Sequence, residues 1–140
     1  MSYLLDTSVL SELVKKNPRR QVVNWVDEQE ESTLFLCVLT VGELEKGIAK
    51  LPASARRTNL ISWVRRELAG RFGGRLLPID VRVAERWGAM AGESEKRGKP
   101  LPVIDSLLAA TALVHDLQIV SRNVSDFERC GVVGINLWAN

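Results

Sequence analysis

The chain has 140 residues, 46% apolar and 26% charged, with a net charge of +2. This suits one soluble domain, residues 1–140, with a real core, and excludes a disordered or fibrous chain. No apolar run approaches the roughly 20 residues that span a bilayer, and no basic segment followed by an apolar stretch and a small-residue cleavage site opens the chain. The expectation is a cytoplasmic protein with no membrane partner. The two cysteines, Cys37 and Cys130, have no partner at metal-ligand or redox spacing. The single histidine, His115, sits late in a helix-like run and leaves no basis for a His-rich metal site.

Taken in order, Tyr3-Leu4-Leu5 reads as a buried strand. Ser8 to Lys16 carries Val9, Leu10, Leu13 and Val14 at helical spacing until Asn17-Pro18 breaks it. Arg19 to Glu30 reads as a second helix, and Thr33 to Leu39 as a central strand. A third helix runs from Thr40 to Leu51, with Val41, Leu44 and Ile48 inward and Pro52 after it. A longer helix covers Ala53 to about Arg71 and closes at Gly70, Gly73 and Gly74. Arg75 to Ile79 is a short strand, and Asp80 caps a helix that continues to about Lys96. After a Gly98-Lys99-Pro100 loop, Val103 to Leu117 is the most apolar helix. Gln118 to Val120 is a strand, Asp126 to Arg129 a helical turn, and Val132 to Leu137 a last strand.

Strands alternating with helices predict a three-layer α/β/α sandwich around a central, mostly parallel sheet of about five strands. Ligands of such folds collect at the carboxyl ends of the strands. Asp6, Glu43 and Asp126 each follow a predicted strand within a few residues, and Asp105 opens the helix that precedes another. One end of the sheet can gather all four.

Taken singly, each acid has a structural explanation. Asp6 suits a turn, Thr40-Val41-Gly42-Glu43 fits a capping box, Asp105 gains from its helix dipole, and Asp126 suits a cap. Their conjunction points elsewhere. Asp6 and Asp105 are flanked by core-like residues, with no Lys or Arg close in sequence to pair with them. Two carboxylates about 5 Å apart repel by roughly 3 kcal/mol at an effective dielectric near 20, so protons or a cation must offset the cluster. An all-oxygen site suits a hard ion such as Mg2+ or Mn2+.

Leu4-Leu5-Asp6-Thr7-Ser8, Glu43 after Thr40-Val41-Gly42, Ile104-Asp105 before Leu107-Leu108-Ala109-Ala110, and Ser121-Arg122-Asn123 with Asp126-Phe127 together resemble the PIN-domain nucleases. Length and element order are most similar to the toxin half of VapBC-type toxin–antitoxin pairs, FitB-like members included. Ser121 stands where many relatives have Thr. The resemblance implies a PIN-like fold and a Mg2+- or Mn2+-dependent endoribonuclease, with Asp6 and Asp105 as direct metal ligands. Glu43 and Asp126 would bind through water, hold a second ion or orient the attacking water. Asn123, Thr7 and Ser8 would stand behind these acids as donors. Hydrolysis in line with the leaving 3′ oxygen would give 5′-phosphate and 3′-hydroxyl ends.

With four acids drawn into one site, the other 13 face 19 Lys and Arg, leaving +6 on the rest of the chain, a balance suited to a polyanionic substrate. Lys46, Lys99 and Arg122 are the expected phosphate contacts. Aromatic residues make up only 6%, which favours a structured RNA held by its backbone over a stacked single strand. The resemblance adds a cognate antitoxin in a groove near Leu10, Leu13, Val14, Val41, Leu44 and Ile48, a homodimer, and a toxin–antitoxin hetero-oligomer. Two rivals are weaker. Haloacid-dehalogenase-like phosphatases want a second Asp at position 8, which is Ser, and receiver domains want an acidic pair after the first strand and a late Lys. A PIN-like module that only binds RNA or a partner would not need all four acids.

Overall fold

A computed structural model describes residues 1–139. Five short strands form one sheet: β1 (Tyr3–Leu5), β2 (Leu34–Cys37), β3 (Leu76–Leu77), β4 (Gln118–Val120) and β5 (Gly134–Ile135). Their order is β3-β2-β1-β4-β5, with every pairing parallel. The chain winds outward one way from β1 through β2 to β3, then returns to build β4 and β5 on the other side. That reversal lies between β1 and β4, where Leu5 is in register with Val120. It is the crevice in which open parallel sheets bind ligands.

Alternation along the strands sorts side chains into two cores. Leu5, Leu34, Leu36 and Val120 face one side, against α1 (Thr7–Leu13), α2 (Arg20–Glu28) and α3 (Val38–Ala49). The same side is covered by α4 (Ala55–Ser62), a π-helical stretch (Trp63–Leu68) and α5 (Ala69–Phe72). Leu4, Cys37 and Ile119 face the other side, with Met90 of α6 (Val81–Lys96), Leu108, Ala109 and Ala112 of α7 (Val103–Val114), and Phe127 of α8 (Val124–Glu128). The result is the expected α/β/α sandwich. Each fully buried Leu contributes about 1.5–3 kcal/mol, and a one-residue slip would exchange the two faces. At the edge, β5 passes so close to α8 that a Cβ at Gly134 would lie 2.8 Å from Val124 Cβ. An alanine there would force one of the two elements aside.

Several boundaries differ from the sequence reading. The central strand stops at Cys37 and α3 begins at Val38, so Thr40 lies inside the helix, fully buried, and the Thr40–Glu43 capping box does not form. The apolar run Leu34–Leu39 is shared between a strand and the first turn of a helix, which periodicity over so few residues does not resolve. The helix expected over 53–71 starts after Ser54, whose hydroxyl accepts from the Arg57 amide at 3.1 Å, and widens into π-helix midway. The strands expected at 75–79 and 132–137 shrink to two residues each. The turn expected from Asp126 starts at Val124. Asp80 caps α6 as expected, accepting from the Val83 amide at 3.0 Å.

Candidate active site

The ladder between β1 and β4 continues one step past β1, where the Asp6 amide donates to Val120 O at 2.9 Å. Asp6 thus leaves the sheet at its carboxyl edge and serves as N-cap residue of α1, with no capping bond from its side chain. Its carboxylate turns to β4 instead, accepting from Ser121 Oγ at 2.7 Å and, more weakly, from Ser8 Oγ at 3.4 Å. Ser121 is fully buried, and its Oγ in turn accepts from the Asn123 amide at 3.0 Å. Ser8 Oγ accepts from the Arg122 amide at 3.1 Å. Neighbouring strand ends are therefore tied together around one carboxylate.

The other acids arrive on helices. Glu43 is in the second turn of α3 and accepts from Thr7 Oγ1 at 2.6 Å. Asp105 lies in the first turn of α7. A helix that leads into a parallel strand begins at the carboxyl edge of the sheet, which explains how a residue before β4 reaches the site. Asp126 lies in the first turn of α8, accepts from Asn123 Nδ2 at 2.9 Å and stands 3.6 Å from the Arg129 guanidinium. Burial pushes the Asp105 carboxyl above the usual carboxylate range, and the negative charges of Asp6, Asp126 and Glu43 push it further. The charges of the other three acids thus all bear on Asp105. Among the described residues, Asp6, Glu43 and Asp105 have no Lys or Arg within ion-pair distance.

This donor set is all oxygen and strongly anionic, which fits a hard divalent cation. Among the described residues no three His, Cys, Asp or Glu side chains already close on one point. The carboxylates lie at the longer range over which charges are felt. Mg2+ binds through one or two carboxylates and keeps several waters, so the open arrangement suits it better than a closed cage would.

The expected phosphate contacts are dispersed. Lys46, Lys99 and Arg122 are all exposed, on α3, in the loop after α6 and just past β4. The Arg122 guanidinium lies 5.6 Å over the Trp138 ring, and Asn136 Nδ2 donates to Arg122 O at 3.3 Å. Arg129 and Trp138 are additions to the site that the sequence reading did not single out, and Ser121, noted there only within the family motif, gains its partner here. Ser121 had a signal, since it directly follows a strand as Asp6 does, but only the β1–β4 register puts the two side by side. Trp138 had none, being 16 residues beyond Arg122.

A groove of about 270 Å3 starts at Thr7 and Glu43 and runs over Val14, Leu44, Ile48 and Trp63. A second cavity of about 280 Å3 lies between α1, α2 and the π-helical stretch, and none of the four acids lines it.

The model of the PIN domain family matches residues 3–132, a span that holds all four acids. The chain is 37% identical over 135 residues to a VapC ribonuclease, Y4jK, of Sinorhizobium fredii, covering 96% of each chain. It is 32% identical over 135 residues to toxin FitB of Neisseria gonorrhoeae, covering 96% of this chain and 97% of that one. The crystal structure of FitAcB from Neisseria gonorrhoeae matches with a TM-score of 0.91 at 31% identity, over 99% of both chains.

Proposed function

The chain belongs to the PIN-domain family, and from that premise we propose that it is a metal-dependent endoribonuclease acting as the toxin of a toxin–antitoxin pair. The observation that supports this reading is that the charges of Asp6, Glu43 and Asp126 all bear on Asp105, and that among the described residues Asp6, Glu43 and Asp105 have no Lys or Arg within ion-pair distance. The likeness to a VapC ribonuclease and to toxin FitB supports the same reading.

In this proposal Asp6 and Asp105 hold Mg2+ or Mn2+. Such an ion acidifies a water and offsets phosphate charge in the transition state. The protein's own part is orientation. Ser121 and Ser8 fix the Asp6 carboxylate, Thr7 fixes Glu43, and Asn123 fixes Asp126. Glu43 and Asp126 then present free oxygens that accept a proton from a water or steer it towards phosphorus. Lys46, Lys99 and Arg122 contact RNA phosphates. An antitoxin segment fills the apolar groove that opens at Thr7 and Glu43, which places a partner next to the acids. Exposed Val81, Val103 and Ile104 supply apolar surface for a homodimer. No helix among the described residues is long and apolar enough to cross a membrane.

The test is cleavage of a panel of hairpin RNAs by the purified protein with Mg2+, with Mn2+ and with EDTA. The expected result is cleavage with either ion, none with EDTA, and none by Asp105→Asn. Cleavage by Asp6→Asn and Asp105→Asn at the parent rate would end the enzymatic reading.

A further inference from the structure

Beyond the acids, on the α6 and α8 side, lies a cleft with a different lining. One lobe, about 260 Å3, is lined by Ser94, Arg97, Lys99, Leu101 and Arg129. An adjoining lobe of about 300 Å3 shares Ser94, Arg97, Leu101 and Arg129 and continues to Met90 and Cys130. Three cations therefore surround one small space, with no acid in the first lobe. In the second lobe the one acid, Glu93, is 3.6 Å from Lys96. Arg97 and Lys99 have no carboxylate within ion-pair distance among the described residues.

The backbone holds these cations in place. After α6 the chain reverses at Gly98, whose φ of +72° favours glycine. The Lys99 amide closes back onto Ser94 O at 2.9 Å and the Gly98 amide onto Glu95 O at 3.0 Å, the bonding pattern of a tight helix end. Gly131, with φ of +83°, ends α8 the same way, its amide on Glu128 O at 3.0 Å and that of Val132 on Phe127 O at 3.3 Å. Arg97 and Arg129 thus stand at two closed helix ends that face one cleft. The structural explanation is that they offset helix dipoles, each equivalent to about half a charge. Arg129 also has Asp126 at 3.6 Å, which leaves Arg97 and Lys99 unpaired among the described residues, and Lys99 lies beyond the end of its helix.

Arg129 connects this cleft to the acids, since it lines both lobes and stands 3.6 Å from the Asp126 carboxylate. The Cys130 thiol is pushed up chiefly by burial; the Arg129 charge opposes this and the smaller effects of the Asp105 and Asp126 charges add to it, which puts this edge of the cleft within reach of both the cation and the acids. We propose that Arg97, Lys99 and Arg129 form a binding subsite for a backbone phosphate of the RNA, next to the scissile one on the α6–α8 side. The inference rests on the endoribonuclease reading and adds the path of the strand. The strand leaves the acidic crevice past Asp126 and is gripped at the ends of α6 and α8.

The experiment uses the hairpin RNA that the wild-type protein cleaves best, resynthesised with a single uncharged methylphosphonate at each linkage in turn around the cut. Binding is measured on an Asp105→Asn background over a salt series, with and without Arg97→Ala/Lys99→Ala. Removing two phosphate contacts should lower the slope of log affinity against log salt by about 1.4 if they fall in the hairpin's single-stranded loop and about 1.8 in its stem, and weaken binding about tenfold at physiological salt. One neutral linkage beside the cut should weaken wild-type-cleft binding severalfold and leave the Arg97→Ala/Lys99→Ala protein indifferent. Arg129→Lys, which keeps the charge by Asp126, should show a smaller loss at the same linkage. An unchanged salt slope, or an identical linkage profile in both proteins, overturns the subsite while leaving cleavage by the wild type intact. A wild type that binds and cleaves no RNA overturns both readings. The variants sit on the surface, and circular dichroism and Tm matching the parent would confirm that they fold.

Discussion

Helix α1 carries a carboxylate near each end, and the two have opposite surroundings. Glu12, close to its C-terminal end, is only 3% exposed. It accepts from the Arg19 amide at 3.0 Å, from Lys15 Nζ at 3.0 Å and from Trp138 Nε1 at 3.3 Å. The Arg19 amide is the largest cause holding its carboxyl below the usual range. Asp6, at the N-terminal end, receives two hydroxyls and, among the described residues, no cation, and its charge helps push Asp105 the other way. Burial alone, complete for Glu12 and partial for Asp6 and Asp105, does not say what an acid is for. The partners do, since an acid supplied with every donor it can use has its charge offset, while acids without such partners repel one another.

The contrast can be broken at either end. The largest effect is expected from Asp6→Asn or Asp105→Asn, each lowering RNA cleavage at least about a hundredfold, a loss of about 2.7 kcal/mol of transition-state stabilisation. In EDTA, Asp105→Asn should also raise Tm, because it removes a charge whose repulsion the folded protein bears. Circular dichroism melts would show it, and a lowered Tm would contradict the account of the cluster.

Glu12→Ala should do the reverse, costing about 1–3 kcal/mol in urea unfolding and leaving cleavage per folded molecule near the parent level. A carboxyl whose pKa falls on folding stabilises above its unfolded value, near 4.5, and that stability is lost as pH falls through the lower folded value. The gap between wild type and Glu12→Gln should therefore be full at pH 7 and shrink in acid below about pH 4.5. A gap that widened in acid would refute the sign.

Smaller effects sharpen the comparison. Ser121→Ala removes the short hydroxyl bond to Asp6 and should weaken Mn2+ binding about tenfold by calorimetry, whereas Ser121→Thr should match the parent. Trp138→Phe keeps a ring under Arg122 and loses the bond to Glu12. It should cost about 0.5–1.5 kcal/mol of stability with little change in RNA affinity, and a large affinity loss would give the Trp138 Nε1 bond a role in substrate binding.

The layered fold was legible because each strand and helix announces itself by local periodicity, and the apolar runs at Tyr3–Leu5 and Gln118–Val120 are bounded as the structure has them. Boundaries failed where one apolar run serves two elements, as from Leu34 to Leu39, and the capping box at Thr40 failed with them. Four acids at the ends of apolar runs were visible as candidates, and the charges of three of them bear on the fourth, Asp105. Sequence alone determined which residues carry charge where the core ends, since that depends on neighbours along the chain. Strand order and register decided the rest. That Ser121 bonds Asp6, that Asp105 feels the charges of Glu43 and Asp126, and that Arg97 and Arg129 line one cleft are relations between residues tens of positions apart, set by a tertiary arrangement that leaves no mark in any short window of residues.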